Sequence, residues 1–137
     1  MKNIKGGCLC GKVHYSAVAE PIFSGLCSCT NCQHLSGSTF SASVGISSET
    51  FQVKGDPKVY MAKSAKKDPV EIYFCPDCGS YLFAKSKNFP GMVVLKAGCL
   101  EDQSWFQPQM NIWYNSAPDW WKKLNTGIPH FPENPTF

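Results

Sequence analysis

The chain has no apolar run near the roughly 18 residues that would cross a bilayer as a helix. Its opening, Met-Lys-Asn-Ile-Lys-Gly-Gly, lacks the roughly 7 to 15 residue apolar stretch of a secretory signal. A membrane association and export are therefore not expected, and a reducing, cytoplasmic setting is. Internal repeats, low-complexity tracts and linker-like shifts in composition are also missing, so nothing marks an internal boundary. With 137 residues, 43% of them hydrophobic, the chain can bury one core but not two full domains. A single soluble domain over 1–137 is the expectation. Concentrated charge is absent too. The formal net charge is +3, and the lysines are dispersed, with only Lys63, Lys66 and Lys67 forming a small group that reads as a solvated loop. A nucleic-acid surface gathers its basic residues on one face, so nucleic acid is disfavoured as a partner.

Helical periodicity is equally scarce. Short β-branched and aromatic runs alternate instead with Gly, Pro, Asp and Ser punctuation. Lys12 to Ala17 sets Val13, Tyr15 and Ala17 against Lys12, His14 and Ser16, the pattern of a half-buried strand. Phe40 to Ile46, Thr50 to Lys54, Lys58 to Ala62, Val70 to Phe74, Ser80 to Ala84 and Met92 to Ala97 read likewise. Turn signals such as Gly55-Asp56-Pro57 and Asn88-Phe89-Pro90-Gly91 join them. The expected architecture is mainly β, built from short antiparallel strands. Asp119 marks the start of a short helix carrying Trp120 and Trp121. The residues from 126 to 137, proline-rich from Ile128 onward, are expected to form an extended tail over the sheet.

What the chain has in abundance is clustered cysteine. Seven of the eight cysteines fall in Cys8-Leu9-Cys10, Cys27-Ser28-Cys29-Thr30-Asn31-Cys32 and Cys75-Pro76-Asp77-Cys78. A disulfide framework fits a small secreted domain, but cysteines two apart are awkwardly placed for a bond whose dihedral is near a right angle. Cys-x-Cys and Cys-x-x-Cys loops wrap a metal readily, with each sulfur about 2.3 Å from zinc. The two pairs, Cys8 with Cys10 and Cys75 with Cys78, supply four thiolates, enough to close a tetrahedral structural site. Such an ion fastens the start of the chain to a hairpin past its middle. Gly6, Gly7, Gly11 and Gly79 give those loops room to turn amides toward sulfur.

The triplet Cys27, Cys29 and Cys32 supplies three thiolates and leaves one metal position open. Two zinc ions per chain would carry the formal charge to about zero, because four thiolates around Zn²⁺ leave two negative charges and three leave one. Cys99, at the end of the run Met92 to Leu100, is a candidate fourth ligand, with a small buried hydrophobe as its other reading. His34 is the other candidate, as a ligand or as a group beside the ligands handling protons, against a surface histidine doing neither. His14 and His130 have no ligand-spaced neighbours and read as structural. An open zinc held by three thiolates favours a soft guest: an entering thiol is deprotonated by the metal, giving a nucleophile at neutral pH from a group whose free pKa is about 8.5. Thiol addition or thioether cleavage fits this better than peptide hydrolysis. Ser36-Gly37-Ser38-Thr39 offers hydroxyls and amides to a substrate carboxylate, or is a plain turn. Trp105, Phe106, Trp113, Trp120 and Trp121 either wall a pocket or pack a core.

These segments together resemble a known family. Gly7-Cys8-Leu9-Cys10-Gly11-Lys12-Val13, the triplet with Ser36-Gly37 behind it, Phe74-Cys75-Pro76-Asp77-Cys78-Gly79 and Gly98-Cys99-Leu100-Glu101-Asp102 are similar to the successive motifs of the glutathione-dependent formaldehyde-activating enzyme family, which also contains the centromere protein V domain. The resemblance covers roughly residues 4 to 125 and implies a β-tent fold with two zinc sites. It implies that Cys8, Cys10, Cys75 and Cys78 hold a structural zinc and that Cys27, Cys29 and Cys32 hold a catalytic one. The implied activity condenses glutathione with formaldehyde to S-hydroxymethylglutathione, a carbon–sulfur lyase reaction, with a small-molecule thiol such as glutathione as partner. The chain departs from the family pattern at Ser28, where many members have histidine, at Gln33 and His34, in positions often basic, and at Asn111, where histidine is frequent. The zinc ligands are untouched by these changes. Two other classes remain open from sequence: a non-catalytic zinc module binding protein or nucleic acid, and zinc storage or transfer. A homo-oligomer is left open as well.

Overall fold

A computed structural model describes residues 1–124 and 127–135. Among the described residues, ten strands form two sheets. The smaller holds β1 (Lys2–Gly7), β2 (His14–Ala19) and β5 (Gln52–Lys54) in the order β1-β2-β5. The larger holds β3 (Phe23–Cys27), β4 (Ser41–Ser47), β6 (Lys58–Ala62), β7 (Val70–Phe74), β8 (Tyr81–Ser86), β9 (Met92–Lys96) and β10 (Met110–Ile112). Its order is β10-β3-β4-β9-β8-β7-β6, antiparallel throughout except where β10 runs parallel to β3. The mainly β expectation holds. Lys58–Ala62 and Val70–Phe74 have the bounds read from the sequence, and the other expected strands are found within two residues or so of theirs.

The main core lies between the sheets. On the small sheet Ile4, Tyr15, Ala17 and Ala19 alternate with exposed neighbours, the pattern of a sheet with one wet face. They meet Val44, Ile46, Phe83, Val93 and Leu95 of the large sheet in one buried cluster. Tyr15, Phe51, Tyr73 and Phe83 fill its centre with rings 4.6 to 6.1 Å apart. Strand β4 is buried at five of its seven positions, Ser41 and the four successive residues Ser43 to Ile46, so both its faces are covered. The small sheet covers one; helix α1 (Thr30–Ser36) and a cavity lie over the other.

Helix α1 has no counterpart in the sequence reading, for a physical reason. None of its residues is buried, so it carries no apolar stripe. Its ends define it instead: Cys29 caps the start, its sulfur accepting from the Cys32 amide, and Gly37 takes the left-handed conformation (φ 67°) at the close. Ser36 and Ser38 are spent on this turn, the Ser36 hydroxyl donating to the Phe40 carbonyl and accepting from the Ser38 amide. Residues 97–99, expected to continue the strand from Met92, form a 3-10 turn. The short helix expected from Asp119 is α2 (Asp119–Leu124), whose Trp121 stacks on Phe40 at 4.6 Å.

Of the tail expected over 126–137, residues 126, 136 and 137 lie outside the described residues. The described part runs beside β10, with His130 in a parallel bridge to Asn111 and a Tyr114–His130 ring stack at 4.6 Å. Among the described residues, no helix is long and apolar enough to cross a membrane.

Candidate metal centres and the adjoining cavity

The first centre joins the turn between β1 and β2 to the turn between β7 and β8. Cys8 is within hydrogen-bond reach of the backbone of Val13, whose amide points at its sulfur at 3.2 Å. Cys75 and Cys78 sit on a tight turn closed by the Gly79 amide on the Cys75 carbonyl at 2.8 Å. Gly79 has φ 76°, which a side chain would strain. The four sulfurs lie within 4.8 Å of one another, although Cys10 and Cys75 are 65 positions apart in the chain. Cys8 to Cys10 is 3.6 Å and Cys10 to Cys75 is 3.7 Å. A tetrahedron with metal–sulfur bonds of about 2.3 Å has sulfurs about 3.8 Å apart, so this donor set fits zinc in size and in chemistry.

Neighbouring groups support the Cys78 sulfur as an anion. The Ser80 hydroxyl accepts from the Leu9 amide at 3.0 Å, which leaves its proton for Cys78 at 3.3 Å. Hydrogen bonds from Ser80, and then from the Cys10 amide, hold the Cys78 thiol down at about 5. A Lys12–Asp77 ion pair of 3.2 Å bridges the two turns at the surface, where it adds little stability.

The second centre is assembled from one strand end and one helix start. Strand β3 delivers Cys27 next to β10, and the Ser28 amide continues that pairing by donating to the Ile112 carbonyl at 3.0 Å. Cys29 caps α1 and Cys32 lies on its first turn, so the two sulfurs face the same side. The side-chain amide of Gln33 donates to the carbonyls of Ser28 at 2.8 Å and Ser116 at 2.9 Å, fixing the helix start against the following loop. Ser28 is buried with its hydroxyl unpartnered. The three sulfurs lie within 4.8 Å of one another, and among the described residues no fourth Cys, His, Asp or Glu joins them. Hydrogen bonds from the Cys27 and Cys32 thiols hold Cys29 well below the ordinary thiol range, while the Cys27 thiol, giving its proton to Cys29, is held well above it. Three soft donors packed this closely, one already favoured as thiolate, suit a thiophilic metal.

The two residues named from sequence as rivals for a fourth position stand elsewhere. His34 is exposed on α1 with Nδ1 bonded to the Thr30 carbonyl at 2.9 Å. Cys99 donates its thiol to the Tyr81 carbonyl at 3.2 Å and belongs to neither cysteine group. Ser36, Gly37, Ser38 and Thr39 do not line the cavity.

That cavity, about 400 Å³, opens directly on Cys27, Cys29 and Cys32. Tyr81, Ile72, Val70 and Leu35 give it an apolar floor, and Asn31, Lys63, Lys66 and Asn88 give it a polar rim. Asn31 donates to the Lys63 carbonyl at 2.6 Å, tying α1 to the loop that follows β6. Of the five aromatics considered from sequence, Trp113 alone lines the cavity. Trp105 and Phe106 pack on the main core, Trp121 is buried in a second cluster with Leu26 and Ala117, and Trp120 is exposed. Trp113 has φ 56°, a strained value for an aromatic residue, and its indole N–H is fixed by Asn134 at 2.9 Å. Tyr81 was not legible as a site residue, because it lies in a strand otherwise read for its packing. Burial, and then the negative charge of Cys32, Cys29 and Cys27, push its phenol far above the ordinary range, so it stays protonated.

Comparison with known proteins adds three findings. The model of the family described as glutathione-dependent formaldehyde-activating enzyme matches residues 3–116. No curated protein matches the chain. A crystal structure of a Rhodobacter sphaeroides protein superposes with a TM-score of 0.61, at 17% identity over 93% of this chain and 99% of that one, a likeness of fold alone.

Proposed function

Because this chain belongs to the glutathione-dependent formaldehyde-activating enzyme family, we propose that it is a zinc-dependent carbon–sulfur lyase, joining a small thiol to an aldehyde or releasing it. The specific reaction proposed is condensation of glutathione with formaldehyde to S-hydroxymethylglutathione. The observation that carries this reading is the count of sulfurs: four gathered in one centre, three in the other, and a cavity opening on the three. Zinc bound at Cys27, Cys29 and Cys32 would supply the ionisation of an incoming thiol, making it a nucleophile at neutral pH. Zinc at Cys8, Cys10, Cys75 and Cys78 would be structural. The reading treats 1–137 as one zinc-stapled unit with 126–137 as its tail, working in a reducing, cytoplasmic compartment that keeps its thiols free.

The chain's own groups have separate parts in this proposal. Tyr81, a phenol that keeps its proton beside the cysteines, donates a hydrogen bond to the aldehyde oxygen as charge builds there. The chain contains no arginine, so Lys63 and Lys66 are the cations at the cavity rim that attract the carboxylates of a thiol such as glutathione. Trp113, held by Asn134, walls the cavity and limits water.

The test is direct. Zinc-loaded protein is mixed with glutathione and formaldehyde, and thiohemiacetal exchange is followed by NMR. The proposal expects exchange faster than in buffer, slowed in Tyr81→Phe on the order of tenfold or more. A rate equal to buffer for the native protein rejects the lyase reading and leaves zinc storage or a binding module.

A further inference from the structure

Behind the cavity lies a buried cation with no carboxylate beside it. Lys96 ends β9 and is 9% exposed. Its ammonium donates to the Ser43 hydroxyl at 2.9 Å and sits 4.5 Å from the centre of the Tyr81 ring. Among the described residues, the ion pairs are those of Met1 with Glu20 and of Lys12 with Asp77, both at the surface. A buried charge left without a counter-charge is unfavourable enough that such lysines are rarely kept without a role.

The sheet register shows what this charge faces. Residues directly opposite on antiparallel strands share a face, as do residues two apart on one strand. Ser43 is opposite Lys96 and opposite Gly25, and Ser41 is opposite Cys27. Cys27, Ser41, Ser43 and Lys96 therefore stand on one face, the side covered by α1 and the cavity. Tyr81, in contact with the ammonium, also lines the cavity into which the three cysteines open. Burial pushes the Lys96 ammonium below its ordinary range, and the groups whose thiolate charge works against that shift are Cys32, Cys27 and Cys29, followed by Cys99. Along the rest of that face the neighbours are serines and apolar side chains, Val94, Ala84 and Ile72 among them, which carry no charge.

We infer that Lys96 is the counter-charge of the three-cysteine centre, a positioning residue whose ammonium offsets the excess negative charge of a thiophilic metal held by three thiolates. The inference rests on the reading that these cysteines hold a metal. It explains a placement that packing alone would disfavour, since an apolar side chain of similar length would fill the same space without a desolvated charge. It also extends to the substrate. An incoming thiolate adds one more negative charge to the centre, so the fixed ammonium favours the thiolate form of the guest over a neutral ligand.

The test compares the native protein with Lys96→Met and Ser43→Ala, titrating each metal-free protein with zinc(II) against a chromophoric chelator while circular dichroism reports the fold. The expected result is that the native protein and Ser43→Ala, which keeps the charge, take up two equivalents with equal affinities. Lys96→Met takes the first equivalent as the native protein does and holds the second on the order of tenfold more weakly or worse, the size of effect that one adjacent opposite charge exerts. A lysine with a merely packing role would alter fold stability and leave the second equivalent unchanged, and that result overturns the inference. If Lys96→Met does not fold, lysine-selective ¹H–¹⁵N spectra of the native protein decide. A buried ammonium signal that responds to the second equivalent supports the counter-charge, and one that ignores it overturns it. Uptake of a single equivalent by the native protein defeats the metal reading of the three cysteines itself, which distinguishes that failure from the failure of Lys96 alone.

Discussion

At the scale of single residues, the two cysteine groups ask different things of the same side chain. Cys75 is completely buried and its sulfur belongs to a four-sulfur cage joining two distant turns. Cys29 is half-buried, caps a one-helix element and faces a cavity. Serine in place of each should therefore have unlike consequences. Cys75→Ser is expected to leave the chain unfolded at room temperature, because the structural zinc proposed there would contribute folding free energy on the order of 10 kcal/mol and net stabilities are only about 5 to 15 kcal/mol. Cys29→Ser is expected to keep a folded protein that binds one zinc in place of two. Circular dichroism with elemental analysis of each variant checks both. Collapse of Cys29→Ser would make the second centre structural as well.

At the scale of elements, the sequence showed strands wherever a side-chain pattern is the cause of structure, and hid them wherever it is not. Val70–Phe74 and Lys58–Ala62 were legible because β-branched and aromatic residues crowd short runs between turn signals. Strand β1, with Ile4 as its one large apolar residue, forms because its backbone pairs along all six residues with β2. Helix α1 is set by its caps, and β10 by three residues added to a strand edge. The cysteine centres were legible because ligand spacing is written locally, whereas Tyr81, Lys63 and Lys96 reach the second centre only through sheet register and loop placement. One packing joint links a strand to the four-cysteine centre. Gly55, just past β5, has φ 100°, and a Cβ there would overlap the Lys12 carbonyl oxygen and press on Val13 Cα at 3.1 Å, beside the Cys8 turn. Gly55→Ala is expected to cost about 2 to 4 kcal/mol, or roughly 6 to 16 °C in Tm, since backbone atoms on both sides resist displacement. Thermal unfolding of the zinc-loaded protein checks this, and an unchanged Tm would mean that the joint is looser than drawn.

At the scale of the whole molecule, the two sheets bury one face of each against the other, and the chain's chemistry lies on the far side of the larger sheet, under α1. The first centre closes the fold at its edge and the second opens on solvent through the cavity, so the account turns on one difference between them. X-ray absorption at the zinc edge measures that difference, through the mean number of sulfurs per ion before and after adding glutathione. Seven cysteine sulfurs shared by two ions predict a mean of 3.5, rising to 4 when one external thiol enters. A mean that starts at 3.5 and does not move with thiol, or a centre whose vacant position is already filled by a side chain, would contradict it.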